Sequence, residues 1–226
     1  MPDDGQTAPL TAMTLDPYNW SPLSVGEVAR VFQPIPIPWW IAGGTALDLF
    51  LGRTTRRHED IDVLILRRDQ LLAQRHLPGW LLFRTQAPDP PHLAPWPQGV
   101  FLEPPVNSVW VRSEDHGPWR FEIMLMETEG HEWVYRRLRS IRGPIADLGL
   151  ETEDGIPYLR PEIQLLYKSG TGREKDSDDL ARVLPRLRQQ RASWLLRSLR
   201  SQYPQGHDWL DAVSAVAPQE PDPRAQ

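Results

Sequence analysis

One stretch of the chain, residues 39–62, constrains its fold more than any other: WWIAGGTALDLFLGRTTRRHEDID. An apolar strand is predicted at its start, a helix follows a glycine pair, and a charged turn then leads to Asp60 and Asp62 at the start of a second strand. Because side chains alternate along a strand, both carboxylates lie on the same face. Two acidic side chains held side by side repel each other unless a cation neutralises both. The pair therefore predicts a metal site.

The glycine pair, Gly43 and Gly44, follows the first strand directly. Glycine has no Cβ, so the backbone can turn tightly there and bring its N–H groups close to a ligand. The predicted helix begins near Thr45 and directs its positive end at the same place. These three residues are therefore predicted to bind the phosphates of a nucleotide.

The turn before Asp60 is rich in cations. Side chains so close together repel one another unless anions meet them, and triphosphate oxygens are suitable anions. Arg56 and His58 are predicted to bind the nucleotide on this basis. The alternative is a solvated basic turn that pairs with Glu59 and Asp69. Asp48, in the preceding helix, is expected to be solvated or paired with an arginine.

A meander of strands is predicted over 108–112, 119–126 and 132–137, and its middle strand contains an acidic residue. Glu122 lies between apolar neighbours in the middle strand, where a charged side chain is costly unless it has a partner or a role. Glu127 is the other candidate, but an offset of five residues turns it to the opposite face.

Composition excludes several classes of function. The net charge of −5 and the pI near 5.7 disfavour a nucleic-acid substrate, because affinity for a phosphate backbone needs a basic surface. The chain has no cysteine, which leaves oxygen and imidazole as metal ligands, and these suit Mg²⁺ or Mn²⁺. The sequence contains neither an apolar run of membrane-spanning length nor a signal-peptide pattern, so we expect a cytoplasmic protein without membrane contact.

Four segments are expected along the chain. Residues 1–22 form a flexible arm, 23–157 the core domain, 158–217 a helical subdomain and 218–226 a disordered tail. Proline is dense over 88–105, which predicts an ordered loop or flap without regular structure.

Only two lysines occur in this arginine-rich chain, Lys168 and Lys175. The compact ammonium group of lysine suits a phosphate group, so Lys168 is predicted to bind the nucleotide from the helical part. The alternative is a salt-bridge network at the start of a helix, in which Lys175 pairs with Asp176.

The run GGTALDLFLGRTTRRHEDID resembles the aminoglycoside 2''-adenylyltransferase-like family of the nucleotidyltransferase superfamily. The shared pattern is a Gly-Gly, a helix ending in Gly-Arg, a Thr-Arg and a His-x-Asp-x-Asp. LRPEIQLLYKSG, REKDSDDLARVLP and GHDWL resemble the helical half of the family, so the likeness covers roughly residues 25–215. It implies an α+β fold: a polymerase-beta-like core with a mixed sheet flanked by helices, and a C-terminal helical subdomain.

The resemblance also implies an enzyme activity, the transfer of AMP from ATP to a hydroxyl of a small molecule such as an aminoglycoside-like antibiotic. Asp60, Asp62 and Glu122 would then be catalytic and hold two Mg²⁺ ions, with Mn²⁺ as a substitute, and Glu122 would accept the proton. In the superfamily a third carboxylate, often Asp, stands on a strand beside the Asp-x-Asp strand, and Glu122 matches that position. Two alternatives stay open: transfer to a protein hydroxyl, as in toxin-like members, and a catalytically silent nucleotide-binding module.

Overall fold

The structure, a computed structural model, describes residues 15–86 and 91–217, and a mixed β-sheet organises them. The predictions for residues 1–14, 88–90 and 218–226 lie outside these ranges. In chain order, the helices and strands are α1 (Val25–Phe32), β1 (Trp39–Ile41), α2 (Gly43–Leu51), β2 (Asp62–Leu66), α3 (Gln70–Arg75), β3 (Leu81–Gln86), β4 (His92–Pro95), β5 (Ser108–Arg112), β6 (Phe121–Glu129), β7 (Glu132–Val134), β8 (Arg142–Pro144), β9 (Gly149–Glu151), β10 (Pro157–Leu159), α4 (Pro161–Lys168), α5 (Glu174–Val183), α6 (Gln189–Gln202) and α7 (Leu210–Val216).

The strand order across the sheet is β4-β3-β5-β6-β2-β1-β10-β9. Strands β2 and β6 are parallel, as are β1 and β10, and the other neighbours along this order are antiparallel. Strands β7 and β8 extend from the far end of β6. The predicted α+β class with a mixed sheet is confirmed. The predicted division of the chain at 157/158 falls inside β10 and stays a prediction.

Local capping signals begin and end the helices near the site. Ser24 and Glu27 form a reciprocal capping box at α1. Gly52 ends α2 with a φ of 69°, a left-handed conformation that glycine adopts without strain. Pro161 opens α4, where its missing N–H costs nothing. Each of these caps has a local signal in the sequence.

One continuous core joins the sheet to the C-terminal helices. Helix α4 lies at its centre, and Leu165 and Leu166 are fully buried. Helix α6 buries Leu195 and Leu199 in the same core. Each such side chain contributes about 1.5–3 kcal/mol on burial. The helical half and the sheet therefore share one core.

Residues 15–22, which were predicted to belong to a flexible arm, are docked on the start of β6. The Ser21 N–H donates to the Trp119 carbonyl at 3.0 Å, and the Trp119 N–H donates to the Asn19 carbonyl at 2.8 Å. The Trp119 indole also donates to the Asp16 carbonyl at 2.8 Å. Backbone pairing and a buried tryptophan thus order this segment, and the prediction was wrong for it.

The proline-rich segment contains regular structure, contrary to the prediction. Strand β4 pairs with β3 at the edge of the sheet, where a proline without an N–H is tolerated. Further along, the carbonyls of Leu102 and Val106 accept hydrogen bonds from Arg67 at 2.8 and 2.7 Å. Arg67 directly follows β2, so this part of the segment packs at the end of β2 opposite to Asp62.

Helix α5 ends before Pro185. It begins at Glu174 and ends at Val183, and a 3₁₀ turn containing Pro185 follows. Proline cannot donate the backbone hydrogen bond that the helix would need there. Within the described ranges, no helix has the length and apolar character to cross a membrane.

Candidate active site

Three carboxylates meet at the start of two neighbouring parallel strands. Asp62 opens β2 and lies in register with Glu122 on β6. Asp60 lies in the turn just before β2. One oxygen of each side chain lies within 4.8 Å of the others. The structure therefore brings together the three residues that the sequence predicted as catalytic and metal-binding.

The charges in this cluster are poorly neutralised by the protein. Burial raises the pKa of Asp62 well above its ordinary value, and the charges of Asp60 and Glu122 raise it further. Burial also raises the pKa of Glu122 to about 7, against hydrogen bonds that lower it. Carboxylate oxygens that repel one another at this spacing are a suitable donor set for a hard divalent cation. The residues present thus fit the predicted metal.

Strand β5 fixes the orientation of Glu122. The Ser108 hydroxyl donates to its Oε1 at 2.6 Å, and the Trp110 indole N–H donates to its Oε2 at 3.1 Å. Neither residue was among the predicted site residues. Their signal in the sequence is their spacing, because alternate residues of a strand share a face.

The glycine turn touches the acidic cluster. Gly43 has a φ of 66°, and a Cβ built there would lie 1.9 Å from Asp62 Oδ2, so only glycine fits. Its N–H donates to Gln164 Oε1 of α4 at 2.8 Å. Helix α2 begins at Gly43 and not near Thr45. The Gly43 N–H, which was predicted to bind phosphate, is therefore engaged with a side chain of the helical half.

Arg56 and His58 of the loop before β2 contact protein carboxylates. Arg56 Nη2 lies 3.3 Å from Asp179 Oδ2, and His58 Nε2 lies 2.6 Å from Asp48 Oδ2. Asp48 is only 8% exposed and also accepts a hydrogen bond from the Thr55 hydroxyl at 2.6 Å. The expectation of a solvated or arginine-paired Asp48 was wrong, because the histidine of the same loop returns to it.

Lys168 lies in a buried ion-pair network. Its Nζ lies 2.7 Å from Asp176 Oδ1 and 3.0 Å from Asp179 Oδ2, and Arg173 Nε lies 2.7 Å from Asp176 Oδ2. The anticipated network at this helix start exists, but Lys168 takes the place that was assigned to Lys175 as the partner of Asp176. An ammonium group has three N–H donors, so one remains after both carboxylates are bound.

A cavity of about 220 Å³ lies between the acidic cluster and the helical half. One wall carries the three carboxylates, while Gly43, Gly44 and Gln164 lie beside them. Arg136 and Arg137 line it too and were missed, although two adjacent arginines end the predicted strand over 132–137. Among the residues that the structure describes, Thr45 and His58 do not line the cavity. The cations that line it are Arg56, Arg136, Arg137, Lys168, Arg173 and Lys175.

A glycine turn before a helix, with an acidic pair and a third acid on adjoining strands, defines the nucleotidyltransferase class of fold. The aminoglycoside-2''-adenylyltransferase family matches residues 24–77 of the chain. No curated protein matches the sequence. The predicted resemblance is thus confirmed over the segment that carries the glycines and the acidic pair.

Three solved structures of two antibiotic-related proteins are similar to part of this chain. ANT(2'')-Ia in complex with adenylyl-2''-tobramycin is 15% identical, with a TM-score of 0.50, over 79% of this chain and 96% of that chain. The solution structure of the antibiotic-resistance factor ANT(2'')-Ia is 14% identical, with a TM-score of 0.50, over 80% of this chain and 91% of that chain. Lincomycin-bound LnuA, a lincosamide antibiotic adenylyltransferase, is 18% identical, with a TM-score of 0.48, over 73% of this chain and 97% of that chain.

The predicted nucleotidyltransferase fold is confirmed by the two matches to ANT(2'')-Ia. The family that matches residues 24–77 is one of adenylyltransferases, which is the class of enzyme that the sequence predicted.

Proposed function

We propose that the chain is a metal-dependent nucleotidyltransferase that moves AMP from ATP to a hydroxyl of a small molecule and releases pyrophosphate. The observation that carries this proposal is the cluster of Asp60, Asp62 and Glu122, whose oxygens lie within 4.8 Å of one another at the wall of a basic cavity. An acidic cluster beside a cationic wall suits a metal–triphosphate complex, which needs both.

Asp60, Asp62 and Glu122 would hold Mg²⁺, with two ions as the expected number and Mn²⁺ as a substitute. The bound ions would neutralise triphosphate oxygens and lower the pKa of the attacking hydroxyl. The raised pKa of Asp62, caused by burial and by its two acidic neighbours, supports this assignment, because a cation would relieve that repulsion.

The nucleotide would lie with its phosphates along the cationic wall. Arg56 and Lys168 line the cavity and are held in place by carboxylates, so they can donate without losing further side-chain freedom. Gly44 and Thr45 lie in the first turn of α2, whose free N–H groups favour an anion. His58 would act indirectly, by packing against Gly44.

In the reaction, the acceptor oxygen forms a bond to the α-phosphorus. The bond from that phosphorus to the oxygen shared with the β-phosphate breaks, and pyrophosphate leaves along the cationic wall. The hydroxyl proton passes to Glu122, whose carboxylate Ser108 and Trp110 hold in a fixed orientation. The remaining residues position the reactants and stabilise charge.

The proposed acceptor is a hydroxylated compound of the aminoglycoside kind. This part of the proposal is supported by the name of the matching family and by the adenylyl-2''-tobramycin bound to ANT(2'')-Ia. Because ATP is the proposed donor, we place the reaction in the cytoplasm.

The test is pyrophosphate release from each of the four NTPs with Mg²⁺, against a panel of aminoglycosides, lincosamides and other hydroxyl compounds. We expect acceptor-dependent release that Asp62→Asn abolishes. Asp69→Asn is the matched control, since Asp69 lies in the 3₁₀ turn after the far end of β2 and should leave the activity unchanged. Full activity of Asp62→Asn would refute the proposal. ATP binding without any release would favour the nucleotide-binding module, and release only with a protein substrate would favour the toxin-like alternative.

A further inference from the structure

The acidic cluster separates two regions of different chemistry. On one side, every cation that lines the cavity comes from the loop before β2, from residues 136–137, or from the region of α4 and α5. On the other side lies β5, whose Trp110 is directly opposite Glu122 in the antiparallel register. Glu122 thus has cations on the side of the helices and an indole on the side of β5.

Trp110 belongs to a cluster of three tryptophan rings. The Trp20 ring meets it edge to face at 4.9 Å between centroids, and Trp119 lies 5.5 Å from it. Trp119 is buried, whereas Trp20 and Trp110 are both partly exposed. Each of these two indole N–H groups has a partner, the Pro17 carbonyl for Trp20 and Glu122 for Trp110. Their ring surfaces are therefore the part that remains for a ligand.

The N-terminal segment holds Trp20 in this position. The backbone bonds between Ser21, Asn19 and Trp119 fix it to the start of β6. Arg112, two positions beyond Trp110 on β5, is only 3% exposed, pairs with Asp115 and stacks on aromatic rings, so it does not present a free charge at this surface. The surface beside Glu122 is thus aromatic and ordered.

The geometry of in-line attack at phosphorus indicates which substrate binds at this aromatic surface. In-line displacement at phosphorus places the attacking oxygen and the leaving pyrophosphate on opposite sides. Because the cationic wall suits pyrophosphate, the acceptor hydroxyl must approach from the side of β5. Aromatic faces bind the C–H edges of saturated rings and attract ligand cations, and the nearby carboxylates favour cations as well.

Building on the function proposed above, we propose that Trp20 and Trp110 form one wall of the acceptor site, against which a ring of the acceptor packs. Trp20 is a specificity-determining residue on this assignment, because its indole N–H bonds the Pro17 carbonyl and not a carboxylate. The matched control is Trp194, a partly buried tryptophan of α6 that packs on Trp133 at 6.1 Å.

The experiment follows the indole N–H signals of the ten tryptophans in ¹⁵N-labelled full-length protein. Trp20→Phe and Trp110→Phe assign the two signals of interest. Tobramycin and lincomycin are the probes, each added in the presence of Mg²⁺ and α,β-methylene-ATP. We expect saturable shifts of the Trp20 and Trp110 signals with at least one probe, and none for Trp194.

A second measurement compares dissociation constants. Trp20→Leu should weaken binding of the shifting probe by roughly 3- to 30-fold, the range expected for a cation over an aromatic ring. The affinity of the Trp20→Leu variant for α,β-methylene-ATP should not change, and Trp194→Leu should change neither dissociation constant. This contrast separates a lost acceptor contact from a general loss of structure.

Three results would overturn the inference. The probes could shift only other signals, they could bind Trp20→Leu as tightly as the parent chain, or neither could bind while α,β-methylene-ATP does. Each of these leaves the nucleotide reaction standing. The proposed function itself fails in a different way, through the absence of nucleotide binding and of pyrophosphate release.

Discussion

Replacing Lys168 with methionine tests how much the buried ion pairs of this residue contribute to the free energy of unfolding. The side chain is 5% exposed, and its Nζ lies 2.7 Å from one carboxylate oxygen and 3.0 Å from another. Breaking a buried ion pair costs about 3–5 kcal/mol, because a charge is left uncompensated. Asp176 keeps Arg173 and Asp179 keeps Arg56, so we expect Lys168→Met to lose about 3 kcal/mol of unfolding free energy, at the lower end of that range.

Urea unfolding followed by tryptophan fluorescence measures this loss. Lys175→Met is the matched control, since Lys175 lines the same cavity but is exposed and has no ion pair in the described part of the chain. We expect it to change stability by less than about 0.5 kcal/mol. A loss below about 1 kcal/mol in Lys168→Met, typical of surface pairs, would refute the buried network.

The same network predicts how stability depends on acid. Burial alone would raise the pKa of Asp176, but hydrogen bonds from Arg173, Lys168 and Thr171 hold it at about 2, below its ordinary value of 3.8. The folded state therefore binds this proton less readily than the unfolded state. The resulting stability is present above about pH 4 and is lost as the pH falls towards 2. Lys168→Met should flatten this acid slope, and an unchanged slope would contradict the assignment.

Two further substitutions, each with a matched control, test the glycine turn and the buried Arg67. Gly43→Ala should abolish Mn²⁺ binding, measured by electron paramagnetic resonance, because the added Cβ would clash with the Asp62 carboxylate. Gly52→Ala is the control, since a Cβ added there has no atom within 4 Å. It should keep Mn²⁺ binding and lose only about 1 kcal/mol of unfolding free energy. Arg67→Met should lower the free energy of unfolding in urea by about 3–5 kcal/mol, because the buried Arg67 guanidinium donates to a carboxylate, a side-chain amide and two backbone carbonyls. Arg68 is exposed, so Arg68→Met should lower it by less than about 1 kcal/mol. Equal effects in either matched pair would contradict these expectations.

Local patterns predicted the acidic cluster and several element ends. Gly43 before a helix, the alternation of Asp60 and Asp62, and an isolated Glu122 among apolar residues are signals within short windows of sequence. The capping residues are equally local. The parallel register that sets Asp62 beside Glu122 followed only from the family resemblance, because no local pattern encodes which strands become neighbours.

The partners of the site residues could not be predicted, since they are far apart in sequence. Gln164 reaches Gly43 across 121 residues, and Arg56 reaches Asp179 across 123. A polar residue in the apolar run of α4 is the sole hint of the first contact. Similarly, the proline content of the segment around β4 obscured an edge strand that pairs with β3.

Manganese binding to the acidic cluster tests the central claim most directly. Titration of the chain with Mn²⁺ in the presence of α,β-methylene-ATP, followed by the resonance signal of the free ion, gives the affinity. We predict saturable binding that is at least about tenfold weaker in Asp62→Asn, the loss expected for one charged ligand, and unchanged in Asp69→Asn. Equal Mn²⁺ affinity in Asp62→Asn and the parent chain would contradict a metal-dependent nucleotidyltransferase site at these carboxylates.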